Sequence, residues 1–199
     1  MQVSSLGETE YMYARPTKFY DLGSYKTLLI SGDENNCFFM AVFVSATIRG
    51  EPLGGNAAEL ASEFQSGRLL ENMEKEGMRV RAAVVEFMRA NAQELLPASM
   101  QPRSRKLTWE NLYDLNYGEK GKRYEQYVEE MSRSGVWGGS FEMRVLWAMG
   151  HKVTVATGCY KSKLRLRRHS PDFVELGSTD PVLWHRAECH FDVFVAPVS

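Results

Sequence analysis

Three residues of the 199-residue chain have the types and settings for nucleophilic catalysis: Cys37, His190 and Asp192. Cys37 closes the polar, turn-forming run Ser31-Gly32-Asp33-Glu34-Asn35-Asn36 and opens an unbroken apolar segment reaching Val44. The pattern predicts a short strand at Leu28-Leu29-Ile30, a tight turn, and a helix buried on most sides with Cys37 in its first turn. Unpaired N–H groups at a helix start carry partial positive charge, which favours thiolate over thiol and makes a better nucleophile. A cysteine in that position can equally be a small hydrophobe ahead of a core helix. His190 and Asp192 are separated by one residue, so on a strand their side chains share a face, and Phe191 points into the core. A carboxylate so placed can hold a histidine in the tautomer that accepts a proton and can stabilise the imidazolium. The same pair can also be ordinary polar residues on a solvent-facing strand. Together, an early helix-start cysteine and a late strand-borne His-x-Asp are the parts of a thiol protease.

The elements that must position these residues follow from periodicity. Val80, Ala83, Val84, Phe87, Met88 and Asn91 keep helical spacing, with Arg79, Arg81, Glu86 and Arg89 around the remaining, solvated face. A second stripe, Tyr124, Tyr127, Val128 and Met131, predicts a helix ending near Ser134-Gly135. Val136-Trp137-Gly138-Gly139 reads as a turn, and Ser140 can cap a helix over 141–149 that stops at Gly150. Asn56 to Gly67 predicts a short helix after a loop over 49–55, and residues 97–106 a surface loop. Strands are expected at 153–155, at Lys163–Arg167, and in a terminal hairpin of 182–185 and 190–195. Helices come early and strands late, which is an α+β layout with a small, mostly antiparallel sheet packed between helices. Residues 1–26 lack clear periodicity and read as a segment capping the core, leaving 27–199 as the domain.

Composition narrows the class. A 44 % hydrophobic and 12 % aromatic content is enough for a real core and argues against disorder. A net charge of −1 gives no global pull toward nucleic acid or anionic membrane. Three widely spaced cysteines argue against a disulfide framework and for a reducing compartment. No apolar stretch near Met1 reads as a signal peptide and none approaches bilayer-spanning length, so a cytoplasmic location is expected. An effector exported by another route and acting inside a host cell has the same composition.

In order along the chain, these residues resemble the ovarian tumour (OTU) family of cysteine deubiquitinases. Asn36-Cys37-Phe38-Phe39-Met40-Ala41-Val42 resembles the family's Asp-Gly-Asn-Cys-Leu-Phe-Arg-Ala block around the nucleophile. The segment 127–155 is similar to the family's Trp-Gly-Gly turn, helix and strand, and His190-Phe191-Asp192 to its terminal His-Tyr-Asp strand. The helix over 80–95 stands in the family's order, and the resemblance spans about residues 25–195. It implies a papain-related fold and a cysteine isopeptidase that cleaves ubiquitin or polyubiquitin, or a ubiquitin-like modifier, from lysine. Cys37 is then the nucleophile, His190 the base and Asp192 its orienting partner. The resemblance also implies an oxyanion loop of Asp33, Glu34 and Asn35, and a Trp137-Gly138 turn beside the histidine that binds substrate. No metal or organic cofactor is implied, and a monomer is expected.

The loop departs from the family pattern. Asp33-Glu34-Asn35-Asn36 has no glycine and one extra residue before the cysteine. Asn35 can adopt the left-handed conformation a glycine would otherwise supply. The departure motivates an alternative function, the same fold binding ubiquitin without cleaving it. Two other readings are weaker. His185, Cys189 and His190 form a metal-ligand set only if they converge, yet adjacent strand residues point to opposite faces. The basic run 161–168 suits nucleic acid, but its alternation with Leu164 and Leu166 is that of a solvated strand. For Trp137, a core anchor in a turn is the alternative to a place at the site.

Overall fold

The apolar run beginning at Cys37 folds as helix α1 (Cys37–Arg49), buried from Cys37 through Thr47. A helix apolar on all sides has no face to offer water, so other elements must enclose it. The computed structural model describes residues 19–21, 26–28, 30, 35–51, 69–102, 105–116, 118, 121–151, 153–160, 163–168, 181–186 and 190–195. Among these, α1 packs against α2 (Leu69–Ala90) and against strands β5 (Val182–Arg186) and β6 (His190–Val195). Burying Phe38, Phe39, Phe43 and Val44 this way stabilises the fold by about 1.5–3 kcal/mol each. Gly50 ends α1 in the left-handed region (φ 68°), letting the Gly50 and Glu51 N–H groups turn back to Thr47 O and Ala46 O.

Helix α2 presents Met73, Val80, Val84 and Met88 to the core, the stripe expected from spacing, but it begins at Leu69 rather than near Val80. Gly77 lies inside it, where glycine costs about 1 kcal/mol relative to alanine. The reason is the approach of α1: a Cβ at position 77 would stand 2.7 Å from Met40 Cγ and 3.1 Å from Met40 N. A second difference is Arg81, expected on the solvated side yet only 1 % exposed.

Helix α3 (Trp109–Asn116) was not expected, because it is barely two turns long and rich in weak helix formers. Its signals are local: Trp109, Leu112 and Tyr113 share a buried face, and the Thr108 hydroxyl accepts from Asn111 N at 3.2 Å. Helices α4 (Tyr124–Met131) and α5 (Ser140–Ala148) fall close to the expected positions. Trp109, Tyr113, Tyr124 and Tyr127 surround Phe141, with ring centroids 5.7–6.1 Å from it. This aromatic cluster fixes the start of α5, and with it the turn that precedes α5.

Strands β1 (Phe19–Asp21), β2 (Lys26–Leu28), β3 (Thr154–Tyr160) and β4 (Lys163–Arg168) join β5 and β6 in one sheet of order β1-β4-β3-β5-β6-β2. All pairings are antiparallel except β3 with β5, so the α+β, mostly antiparallel expectation holds. The terminal hairpin is present, with Arg186 opposite His190 and Trp184 opposite Asp192. β1 pairs along β4, and β2 crosses the boundary expected between residues 26 and 27, so both segments are strands of the sheet itself. The helix expected over 56–67 and residues 52–55 of the loop before it lie outside the described residues.

Candidate active site

The site forms where the N-terminal end of α1 meets β6. Cys37 is the first residue of α1 and Asn36 occupies the cap position, its carbonyl accepting from Met40 N at 3.1 Å. The Asn36 side chain does not bond the first-turn N–H groups. It is 1 % exposed, donates to Glu74 O (3.4 Å) and accepts from Arg81. The donors of the helix start are therefore not taken up by the Asn36 side chain. Asn35 takes the left-handed conformation expected of it (φ 54°), and its Nδ2 donates to Gly135 O at 2.8 Å. Of the three residues assigned to the oxyanion loop, Asp33 and Glu34 lie outside the described residues.

The Cys37 thiol departs from expectation. Burial pushes its pKa up from the ordinary cysteine value, and the nearby Asp192 charge adds to the rise. The backbone N–H groups of Phe191, Phe38 and Cys37 itself act in the opposite direction but do not prevail. The helix-start effect is thus present but smaller than desolvation, because Cys37 is only 5 % exposed. A thiol held protonated needs a base to take its proton at the moment of attack.

His190 and Asp192 form the kind of pair such a base requires. His190 Nε2 lies 3.0 Å from Asp192 Oδ1, and the same oxygen accepts from Ile30 N at 3.0 Å. Asp192 is fully buried, which overturns the reading of a solvent-facing pair. A carboxylate accepts and does not donate, so Nε2 carries the ring proton and Nδ1 keeps its lone pair for an incoming proton. The Ile30 bond ties the end of the β2 segment to the carboxylate. Phe191 turns to the other face, 5 % exposed, its ring edge-on to Phe38 at 5.1 Å. Cys37 thus stands next to the backbone that carries the His190–Asp192 pair.

The glycine turn closes the arrangement. Gly138 is buried against Phe38, the residue after Cys37, so closely that a Cβ would overlap the Phe38 ring. Trp137 is 49 % exposed, so it is not a core anchor. The cap of α5 is also different from the one expected: Gly139, not Ser140, precedes the helix, and the Glu142 carboxylate turns back to accept from Gly139 N at 2.7 Å. Glu142 also accepts from the Tyr127 hydroxyl. Burial pushes its carboxyl pKa up against those hydrogen bonds and against the Arg81 charge.

Two residues that mattered were not singled out from sequence. Arg81 reaches both Asn35 and Asn36, and its position one helical turn after Gly77 on α2 was the available signal. Glu142 could have been found as the third residue after Gly139, the place where a carboxylate folds back on a helix start. His185 does not join His190. It lies opposite Phe191 in register and stacks on that ring at 4.5 Å, on the other face of the strand. Cys189 lies outside the described residues, as do the side chains of the basic strand β4.

No family model matches the chain, and no curated protein matches it. Solved structures do. The Hazara virus OTU bound to ubiquitin superposes with a TM-score of 0.54 at 15 % identity, covering 92 % of this chain and 88 % of that one. The viral OTU domain protease from Dera Ghazi Khan virus gives 0.54 at 18 % identity, over 92 % and 88 % of the two chains. The one from Qalyub virus gives 0.51 at 22 % identity, over 89 % of each. The fold is that of the OTU domain proteases. The fold carries the Cys37, His190 and Asp192 arrangement at the junction of α1 and β6.

Proposed function

We propose that the protein is a cysteine isopeptidase that hydrolyses the bond between the C-terminal glycine of ubiquitin, or a ubiquitin-like modifier, and a lysine. The observation that carries this reading is the buried Asp192 holding His190 through Nε2, on the strand whose backbone lies beside Cys37. The likeness to an OTU structure solved with ubiquitin supports the choice of modifier.

Cys37 Sγ attacks the glycine carbonyl carbon while His190 Nδ1 takes the thiol proton; a C–S bond forms and the carbonyl π pair moves to oxygen. Backbone N–H groups of the Asp33–Asn36 loop donate to that oxyanion, an effect worth about 3–4 kcal/mol per donor in related chemistry. Collapse breaks the C–N bond, and the lysine amine leaves with the proton from His190. Water then gives a proton to His190 and attacks the thioester. The C–S bond breaks, the proton passes from His190 to the thiolate, and the modifier leaves as a carboxylic acid that gives its proton to solvent. Asp192 fixes the ring and stabilises the imidazolium in both halves. Trp137 and Gly138 border the channel for the modifier's tail.

Hydrolysis of a fluorogenic amide at the ubiquitin C-terminus tests this. Ubiquitin ends in Leu-Arg-Gly-Gly, and the family resemblance implies a channel of backbone width. A substrate ending Gly-Gly is expected to be cleaved, one ending Ala-Ala to lose nearly all rate, and Cys37→Ala to be inactive. Similar rates on the two tails would mean an open, general protease site. A second reading, ubiquitin binding without cleavage, is favoured by the raised Cys37 pKa and the altered loop, and predicts saturable binding with no turnover.

A further inference from the structure

Arg81 is a charged side chain with almost no contact with water, 1 % exposed in the middle of α2. Burying a guanidinium costs several kcal/mol unless its donors are matched. Here Nη1 donates to Met131 O (3.2 Å) and Arg133 O (3.0 Å), and Nη2 to Asn35 O (3.3 Å). Nε and Nη2 reach Asn36 Oδ1 at 3.4 and 3.3 Å, and the guanidinium carbon stands 4.4 Å over the Phe39 ring. These oxygen acceptors belong to two segments: the pair of residues immediately before Cys37, and the end of α4 that leads into the Trp137-Gly138 turn. The first segment contains Asn35 in a left-handed conformation, which costs a non-glycine residue energy unless its surroundings enforce it. Arg81 on Asn35 O and Gly135 on Asn35 Nδ2 supply that enforcement.

We propose that Arg81 is a positioning residue for the chemical step: it holds the Asn35–Asn36 segment in the conformation that presents backbone N–H groups to the oxyanion. The proposal rests on the isopeptidase reading above. Arg81 touches neither the thiol nor the carbonyl, so its loss weakens transition-state stabilisation while leaving modifier binding and thiol reactivity in place.

Two ubiquitin derivatives separate these effects. Hydrolysis of a C-terminal fluorogenic amide passes through an oxyanion; alkylation of Cys37 by ubiquitin with a C-terminal haloalkyl group displaces halide and forms none. For Arg81→Lys and Arg81→Gln, kcat on the amide should fall by about 100-fold or more, the size of one lost oxyanion donor. KM and the alkylation rate should stay within about threefold of wild type, as for a loss confined to the transition state. Asn36→Ala removes the side-chain acceptor without emptying the core, so it keeps the test open if Arg81 variants do not fold; it should show the same split in smaller degree. Arg79→Ala, exposed on the same helix, should match wild type. Equal loss of hydrolysis and alkylation would make Arg81 a merely structural residue, and no loss of either would remove it from the mechanism. A folded wild type inert to both derivatives would overturn the isopeptidase reading itself, and the proposal with it.

Discussion

Gly138 lies against the ring of Phe38 with no room between them for a methyl group. The contact joins the Trp-Gly-Gly turn to the residue that follows Cys37, so the position of the turn and that of Cys37 are set together. Gly138→Ala should therefore destabilise the protein by about 1–3 kcal/mol, the usual cost of overpacking. Gly139→Ala should cost much less, because a Cβ there comes no nearer than 3.9 Å to Glu142 Oε2. Thermal unfolding of the two variants side by side checks this, and equal shifts would show that the Phe38 contact is not what requires glycine.

Asp192 accepts from both His190 Nε2 and Ile30 N through one oxygen. Asp192→Ala should lower kcat by about 100-fold or more, within the range of general acid–base contributions, with modifier affinity nearly unchanged. Asp192→Asn should be milder, because the amide oxygen can replace Oδ1 toward both donors. Steady-state kinetics with a binding measurement separates the two effects. An Asp192→Ala rate within about threefold of wild type would transfer orientation of His190 to another group, with Asp33 the next residue to replace.

With its pKa pushed up by burial, the Cys37 thiol should react as a thiol that ionises late. Alkylation by iodoacetamide, followed at Cys37 in a Cys159→Ser, Cys189→Ser background, should rise with pH to a midpoint above the ordinary cysteine value of about 8.5. A midpoint below about 7 would mean that a thiolate already stands in the resting site.

How far the site was legible depended on the kind of signal. The Cys37 helix and the His190–Asp192 strand were readable because an apolar run and a two-residue alternation are local patterns. The α2 stripe was readable for the same reason, but Arg81 was not: an arginine beside a helical stripe is normally solvated. Only the three-dimensional approach of the Asn35–Asn36 loop and the α4 end gives its donors partners. The thiol shift was missed likewise, because a sequence shows the helix start but not how completely the strand beside it excludes water. Helix α3 escaped because its apolar spacing covers barely two turns, and its formation relies on the Tyr124 and Phe141 rings from later in the chain.

Away from the site, Glu51 carries a pH dependence. Its burial acts to raise its pKa, but hydrogen bonds from His151 (3.3 Å) and Arg49 (2.5 Å), with the Arg49 charge, bring it below the ordinary value. A carboxylate with a lowered folded-state pKa contributes stability above its unfolded value, about 4.3, and loses it as pH falls through the folded one. Wild type should therefore exceed Glu51→Gln in urea midpoint at pH 7, and the gap should close as pH falls below about 4.3. A gap that stays constant down to pH 3 would remove Glu51 from the acid response.

Cys37 is proposed as a nucleophile aimed at the C-terminus of a ubiquitin-type modifier. The most direct measurement treats the wild-type protein with ubiquitin carrying an electrophilic C-terminal group and reads intact mass and the modified peptide. A single ubiquitin adduct on Cys37 is expected, formed by wild type and by a Cys159→Ser, Cys189→Ser variant, and absent from Cys37→Ala. An adduct on another cysteine, or none on a folded wild-type protein that still binds ubiquitin, would contradict it.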